Sequence, residues 1–277
     1  MKILENEIEV KKFIAGNKEK TVGFVPTMGA LHEGHISLLR KAQKECDVSI
    51  VSIFVNPMQF NNPEDLEKYP NRLSEDLKIL DKNDCDYVFL PSQEMIYPKD
   101  FQKIDLDISH LDREMEGKYR QGHFEGVANV IYQFFNLLEP QKAYFGKKDF
   151  QQVVLVQYLV DKLNLPVEII PVDTLREENG LAMSSRNYRL NEEDKQKASV
   201  IYKSFELAKS LSSTLSPDEA KDRMRQLFAK SDLELEYLEI VDTNSMKYLS
   251  NKWAKSSTAC IAAYCNGVRL IDNMEIT

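Results

Sequence analysis

From Thr21 to Val172, short apolar runs rich in Val, Ile and Phe alternate with segments whose apolar residues recur three and four apart. A period of two residues marks strands and a period near 3.6 marks helices, so this alternation predicts a parallel α/β sheet. Strands are expected at 22–26, 48–55, 86–90, 142–145 and 167–172. Between them, HISLLRKAQKEC, LSEDLKILDKN and GVANVIYQFFNLL read as crossover helices, the last with Val127, Val130, Ile131, Phe134 and Leu138 on one stripe.

After about residue 176 the pattern changes to two polar helices, near 192–212 and 217–230, followed by the strand-like ELEYLEIVDT, STACIAAYC and GVRLID. The division expected is a sheet domain over 1–175 and a smaller α+β domain over 176–277. One stretch, NPMQFNNPEDLEKYPNR, holds Pro57, Pro63 and Pro70. Prolines at that density interrupt ladders and helices, so a long loop is expected, either a mobile lid or a plain exposed connection.

Composition narrows the class without changing this picture. The chain has 277 residues, 36 Lys and Arg against 44 Asp and Glu, and a formal charge of -8. Such a surface repels a polyanion as a whole, which argues against broad nucleic-acid binding. Any phosphate site must then be a local cluster of cations and backbone amides. Cys46, Cys85, Cys260 and Cys265 are scattered, with no C-x-x-C pair, so reduced thiols are expected. The opening MKILENEIEVKKF mixes charges and no apolar run is long enough to span a bilayer, which leads us to expect cytoplasmic residence and no membrane partner.

Three clusters carry candidate chemistry. In VGFVPTMGALHEGHISLL a strand runs into Gly29, then His32-Glu33-Gly34-His35, then an amphipathic helix. A helix N-terminus offers unpaired amides and a positive dipole end, and two imidazoles three apart can face one anion. Such a pair could instead ligate a metal or sit idle at the surface. A third ligand is missing nearby, and a zinc pair has no need of an intervening glycine. The second cluster, YFGKKDFQQ, places Lys147, Lys148 and Asp149 at a helix start ahead of Gln151 and Gln152. The third, LREENGLAMSSRN, sets Ser184 and Ser185 before Arg186, which can wrap a phosphate or merely cap a turn.

PTMGALHEGH, FVNPMQF, GHFEGV, GKKDFQQ and GLAMSSRN, in this order and spacing, closely resemble the motifs of pantothenate synthetases. The resemblance covers nearly the whole chain and is looser in the C-terminal part. It places HEGH among the HIGH-type motifs of nucleotidyltransferases. It implies a Rossmann-like N-terminal domain, a smaller α+β C-terminal lid domain and a homodimer. It also implies two steps, in which pantoate and MgATP give pantoyl-adenylate and β-alanine then displaces AMP.

Matched residue by residue, the resemblance assigns to ATP Met28, Gly29, Ala30, Leu31, His32, Glu33, Gly34 and His35 after the first strand. It adds Gly146, Lys147, Lys148 and Asp149, then Leu175, Met183, Ser184, Ser185 and Arg186. Gln59 and Gln152 would hold pantoate, with Asn56 and Tyr69 nearby, and Glu75 and Asp76 match acidic positions associated with Mg²⁺. His32, His35, Lys148 and Arg186 would stabilise the charge that develops as a carboxylate attacks the α-phosphate. The acceptor of the β-alanine proton is left open between a histidine of the HEGH pair, the substrate's own phosphate oxygens and water. The chain departs from the family pattern at Asn71-Arg72, where Y-P-R-T is usual, and at Asn179, where an acid is usual. The competing readings are another HIGH-type nucleotidyltransferase with a different acid or phosphorylated substrate, and an inactive nucleotide-binding interaction module.

Overall fold

The computed structural model describes residues 1–277. By its internal contacts the chain divides into two compact units, Met1–Asp173 and Thr174–Thr277, so the division falls two residues before the one expected at 175/176.

The first unit runs β1 Lys2–Leu4, α1 Glu7–Gly16, β2 Val22–Thr27, α2 Glu33–Glu45, β3 Val48–Ile53, α3 Pro63–Glu67, α4 Leu73–Lys82 and β4 Tyr87–Phe89. It continues with the short helices α5 Gln93–Ile96, α6 Ser109–Asp112 and α7 Met115–Tyr119, then α8 His123–Leu138, β5 Lys142–Gly146, α9 Phe150–Leu163 and β6 Glu168–Val172. All six strands are parallel, in the order β1-β4-β3-β2-β5-β6.

Successive side chains of a strand point to opposite faces, and here both faces are covered. Phe24 and Ile50 join Phe13 of α1, Phe134 of α8 and Leu155 of α9 on one side. Val25 and Val51 join Leu39 and Ala42 of α2 and Leu80 of α4 on the other. Edge-to-face contacts of Phe134 with Phe24, Phe54 and Phe89 lock α8 onto the sheet. This is the α/β sheet that the hydrophobic alternation called for.

The proline-rich segment differs from the expected loop. Pro57 opens a 3₁₀ turn, Pro57–Gln59, and Pro63 opens α3, with Asn56 and Asn62 capping each start through their side chains. Proline at the first helical position lacks an N–H that would go unpaired anyway, so these prolines start helical turns instead of breaking them.

In the second unit, α10 Glu192–Ala198, α11 Val200–Leu211 and α12 Pro217–Phe228 precede the antiparallel sheet β7 Glu234–Asp242, β8 Ser257–Cys265 and β9 Val268–Glu275. Phe205, Met224, Ile240, Ile261 and Leu270 form its separate core. The helix expected over 192–212 is broken at Ser199, whose hydroxyl donates to the Gln196 carbonyl and competes with the backbone ladder. No helix of the chain is long and apolar enough to cross a membrane.

Candidate active site

β2 pairs with β3 on one side and with β5, which comes much later in the chain, on the other. Strand order therefore reverses at β2, and open α/β sheets bind ligands beyond the carboxyl ends of the strands at such a point. The segments leaving those ends are Met28–His35 after β2, Lys147–Asp149 after β5 and the Asn56–Gln59 stretch after β3.

The segment after β2 is held in a conformation it would not adopt alone. Gly29 and Ala30 both have positive φ, 78° and 49°. A Cβ at Gly29 would lie 3.0 Å from Asp76 Oδ2 and 3.1 Å from Ile53 Cγ2, so glycine is required there. Asp76 of α4 accepts from the Ala30 and Leu31 amides, each at 2.8 Å, and the Thr27 hydroxyl accepts from Gly29 N–H. Asp76 is 2% exposed, and burial raises its carboxyl above the usual range despite the two amide bonds. The Arg72 charge acts in the opposite direction, favouring the ionised form.

The two histidines then cap α2 reciprocally. His32 Nδ1 accepts from Gly34 N–H at 3.1 Å, and His35 Nδ1 accepts from His32 N–H at 3.3 Å. An imidazole nitrogen that accepts an N–H carries no proton, so each neutral ring keeps its hydrogen on Nε2. Burial pushes His32 down to about 2 and His35 down to about 4 from the ordinary 6.5, with help from the Lys148 charge and, for His32, from His35. Both rings are therefore neutral at neutral pH, each with one Nε2–H donor. Neither keeps a free lone pair, which favours the phosphate oxygens or water over a histidine as acceptor of the β-alanine proton.

Lys148 acts electrostatically on both rings, and its side chain is only 17% exposed, 3.9 Å from Asp149. Asp149 precedes α9 and favours the protonated form of His32. Lys147 faces elsewhere, pairing at 2.6 Å with Asp173 at the surface. After β3, buried Gln59 donates to Met28 Sδ at 3.1 Å and accepts from Asn56, which itself accepts from the Tyr97 hydroxyl. Gln152 lies half-buried in the first turn of α9.

In the second unit, Leu175–Met183 forms a small hairpin through the Arg176↔Ala182 bridge and the bond from Met183 N–H to the Leu175 carbonyl. Arg176 donates to both oxygens of Asp272, at 2.6 and 3.1 Å, and lies over the Tyr202 ring. Asn179 donates to the Lys195 carbonyl and accepts from Leu181 N–H. An aspartate there could accept but not donate, so this departure has a structural use. Ser184 caps the 3₁₀ turn Ser185–Arg189 by accepting from Arg186 N–H.

A family model described as pantoate-beta-alanine ligase matches residues 2–275. The chain belongs to that family. It is 46% identical to a pantothenate synthetase of Cytophaga hutchinsonii over 94% of this chain and 93% of that one. With the pantothenate synthetase of Porphyromonas gingivalis the identity is 43% over 99% of each. Among solved structures, a pantothenate synthetase from Thermus thermophilus superposes with a TM-score of 0.93 at 38% identity, covering 100% of this chain and 99% of that one. A pantoate-beta-alanine ligase from Francisella tularensis, complexed with beta-gamma ATP and beta-alanine, gives 0.82 at 36% identity over 99% and 97%.

The amides of Ala30 and Leu31 are engaged by Asp76 and both residues are buried. Glu33 turns outward to Arg40 at 3.1 Å. Glu75 is exposed while Asp76 is buried, and both Asp76 oxygens hold backbone amides. No group of three His, Cys, Asp or Glu side chains is arranged to hold a metal by protein ligands alone. The sequence reading assigned no role to His123, Arg120, Glu116 and Gln151. The first lies in the quoted GHFEGV motif and the last beside the second glutamine.

Proposed function

We propose that this chain condenses pantoate with β-alanine at the expense of ATP through a pantoyl-adenylate, and that the first unit carries the phosphate chemistry. The observation that supports this most is the neutral His32/His35 pair at the start of α2, whose Nδ1 atoms are committed to the backbone and whose Nε2–H groups remain as donors. The HIGH-type alternative that uses another acid finds no comparable support.

In the first step a carboxylate oxygen of pantoate bonds to the α-phosphorus while the bond to the β-phosphate oxygen breaks. Pyrophosphate leaves with the electron pair. Negative charge grows on the phosphate oxygens, and donors already in place stabilise it without reorganising. We assign this to His32, His35 and Lys148, aided by the α2 N-terminus. Ser184, Ser185 and Arg186 of the second unit, with Leu175 and Met183, keep the ATP assignment that the motifs give them.

We place pantoate at Gln59 and Gln152. Amides fix an acid by partial charges and leave its carboxylate nucleophilic, whereas a full cation would stabilise the ground state that must react. In the second step the β-alanine amine bonds to the acyl carbon, the bond to the AMP oxygen breaks, and the amine proton goes to the departing phosphate or to water. A divalent ion enters with the ATP phosphates, as Mg²⁺ does where no protein cage exists. A homodimer follows the motif resemblance, and four cysteines held in no disulfide favour a reducing compartment, the cytoplasm.

The test is exchange of labelled pyrophosphate into ATP. Exchange that needs pantoate and not β-alanine supports the adenylate. Exchange driven by an amino acid, or none at all with ATP bound, contradicts it.

A further inference from the structure

Gln59 sits on a three-residue turn, and so short an element does not set its own position. Two contacts fasten it to α8. Asn56 donates to the Gly126 carbonyl at 3.0 Å, and α8 approaches so closely that a Cβ at Gly126 would lie 2.4 Å from the Met58 carbonyl oxygen. The second contact is His123, at the first position of α8 and 5% exposed. Its Nδ1 lies 2.9 Å from the Gln59 carbonyl oxygen, and its Nε2 lies 3.1 Å from Arg120 Nη1. A guanidinium only donates, so Nε2 accepts and the ring hydrogen is on Nδ1, given to Gln59.

The chain of contacts continues. Arg120 lies 3.6 Å from Glu116, both side chains being largely buried. The Glu116 amide donates to Gln151 Oε1 at 2.7 Å, and the Gln151 amide donates in turn to the Glu114 carbonyl at 3.1 Å. Gln151 is 4% exposed and precedes Gln152 on the first turn of α9. One end of this buried polar path is thus the backbone of Gln59 and the other is the neighbour of Gln152. Fully satisfied buried networks rigidify the elements they join.

We propose that His123 is a positioning residue for acid recognition, the centre of a relay through Arg120, Glu116 and Gln151 that fixes the Gln59 turn relative to the start of α9. The inference rests on the placement of pantoate at the two glutamines. His123 touches neither substrate nor reacting atoms. It acts through the Gln59 backbone.

The test compares His123→Ala, His123→Asn and Gln59→Ala, reading KM for pantoate, KM for ATP and the melting temperature of each purified protein. Losing one neutral hydrogen bond is worth about tenfold in an equilibrium constant, so His123→Ala is expected to raise KM for pantoate about tenfold and to leave that for ATP within about twofold. Asparagine places an N–H close to where Nδ1 was, so His123→Asn is expected to recover most of the loss. If Gln59→Ala leaves KM for pantoate unchanged, the pocket assignment fails and the relay fails with it. If Gln59→Ala raises it but His123→Ala does not, or shifts ATP equally, or asparagine rescues nothing, the relay alone is overturned. Should His123→Ala fail to fold, Arg120→Met is read in the same way: a selective rise for pantoate supports the relay, and an unselective one rejects it.

Discussion

Two motif loops, Met28–His35 in the first unit and Leu175–Arg186 in the second, are each clamped by one buried aspartate far away in sequence, yet they are built differently. Asp76 grips backbone, the amides of Ala30 and Leu31, and so shapes the peptide itself. Asp272 grips a side chain, the Arg176 guanidinium, and so fixes the base of a hairpin. In the first loop the imidazoles serve the backbone through Nδ1 and keep Nε2–H as donors. In the second the cation at the base is consumed by structure, and Arg186 carries the charge that the motif offers. A residue in a phosphate motif is therefore a ligand group only if the fold has not already employed it.

The largest expected effect separates the two clamps. Asp272→Ala leaves Arg176 largely buried without its carboxylate, which costs about 3–5 kcal/mol for a broken buried pair. Denaturant unfolding followed by a second-unit probe, Trp253, measures it, and a change below about 1 kcal/mol would show that the pair behaves as a surface bridge.

Next come the donors of the first loop. His35→Ala and Lys148→Ala are each expected to slow pantoate-dependent pyrophosphate exchange by about 10²-fold or more, the scale for one lost transition-state donor. Wild-type exchange in either variant removes that residue from the mechanism. Asp76→Asn keeps the shape but turns one acceptor into a donor facing a backbone N–H, at a cost of about 1–3 kcal/mol. Weaker ATP binding by calorimetry is expected with it. Intact binding in that variant would mean that the loop holds its shape without the clamp.

The smallest effect is on pH. His32 and His35 have folded values near 2 and 4, below the ordinary 6.5, so the unfolded chain binds more protons than the folded one in between. The contribution of this pair to stability then rises with pH up to about 6.5 and falls as acid is added below it. His35→Asn is expected to flatten that slope in melting temperatures between pH 4.5 and 6.5. The Leu175–Arg186 loop contains no histidine.

The elements that were legible in the sequence are those whose burial has a period. β2, β3, α2 and α8 read directly from the spacing of their apolar residues, while β1 escaped because it has three residues and buries only Leu4, and α1 because it buries only Val10 and Phe13. The proline segment was misread because Pro57 and Pro63 stand at first helical positions, where proline is favourable. The histidine pair was visible as a motif, but its tautomers were not, since they depend on which nitrogen meets the backbone. Asp76 drew attention only by matching an acidic position that the motif resemblance associates with Mg²⁺, and nothing in one dimension shows that its carboxylate faces two amides. Asp272 offered no signal at all: it is one acidic residue on a strand, 96 positions from its partner.

The account depends most on the state of the two imidazoles, which ring ¹⁵N chemical shifts report directly. With His32 and His35 assigned by single substitution, the prediction is a bare Nδ1 and a protonated Nε2 in both, unchanged from pH 8 to pH 5. On adding ATP the Nε2–H signals are expected to shift while the rings stay neutral. Titration of either ring near 6.5, or a hydrogen on Nδ1, would contradict the reading of this pair as neutral donors held by the backbone.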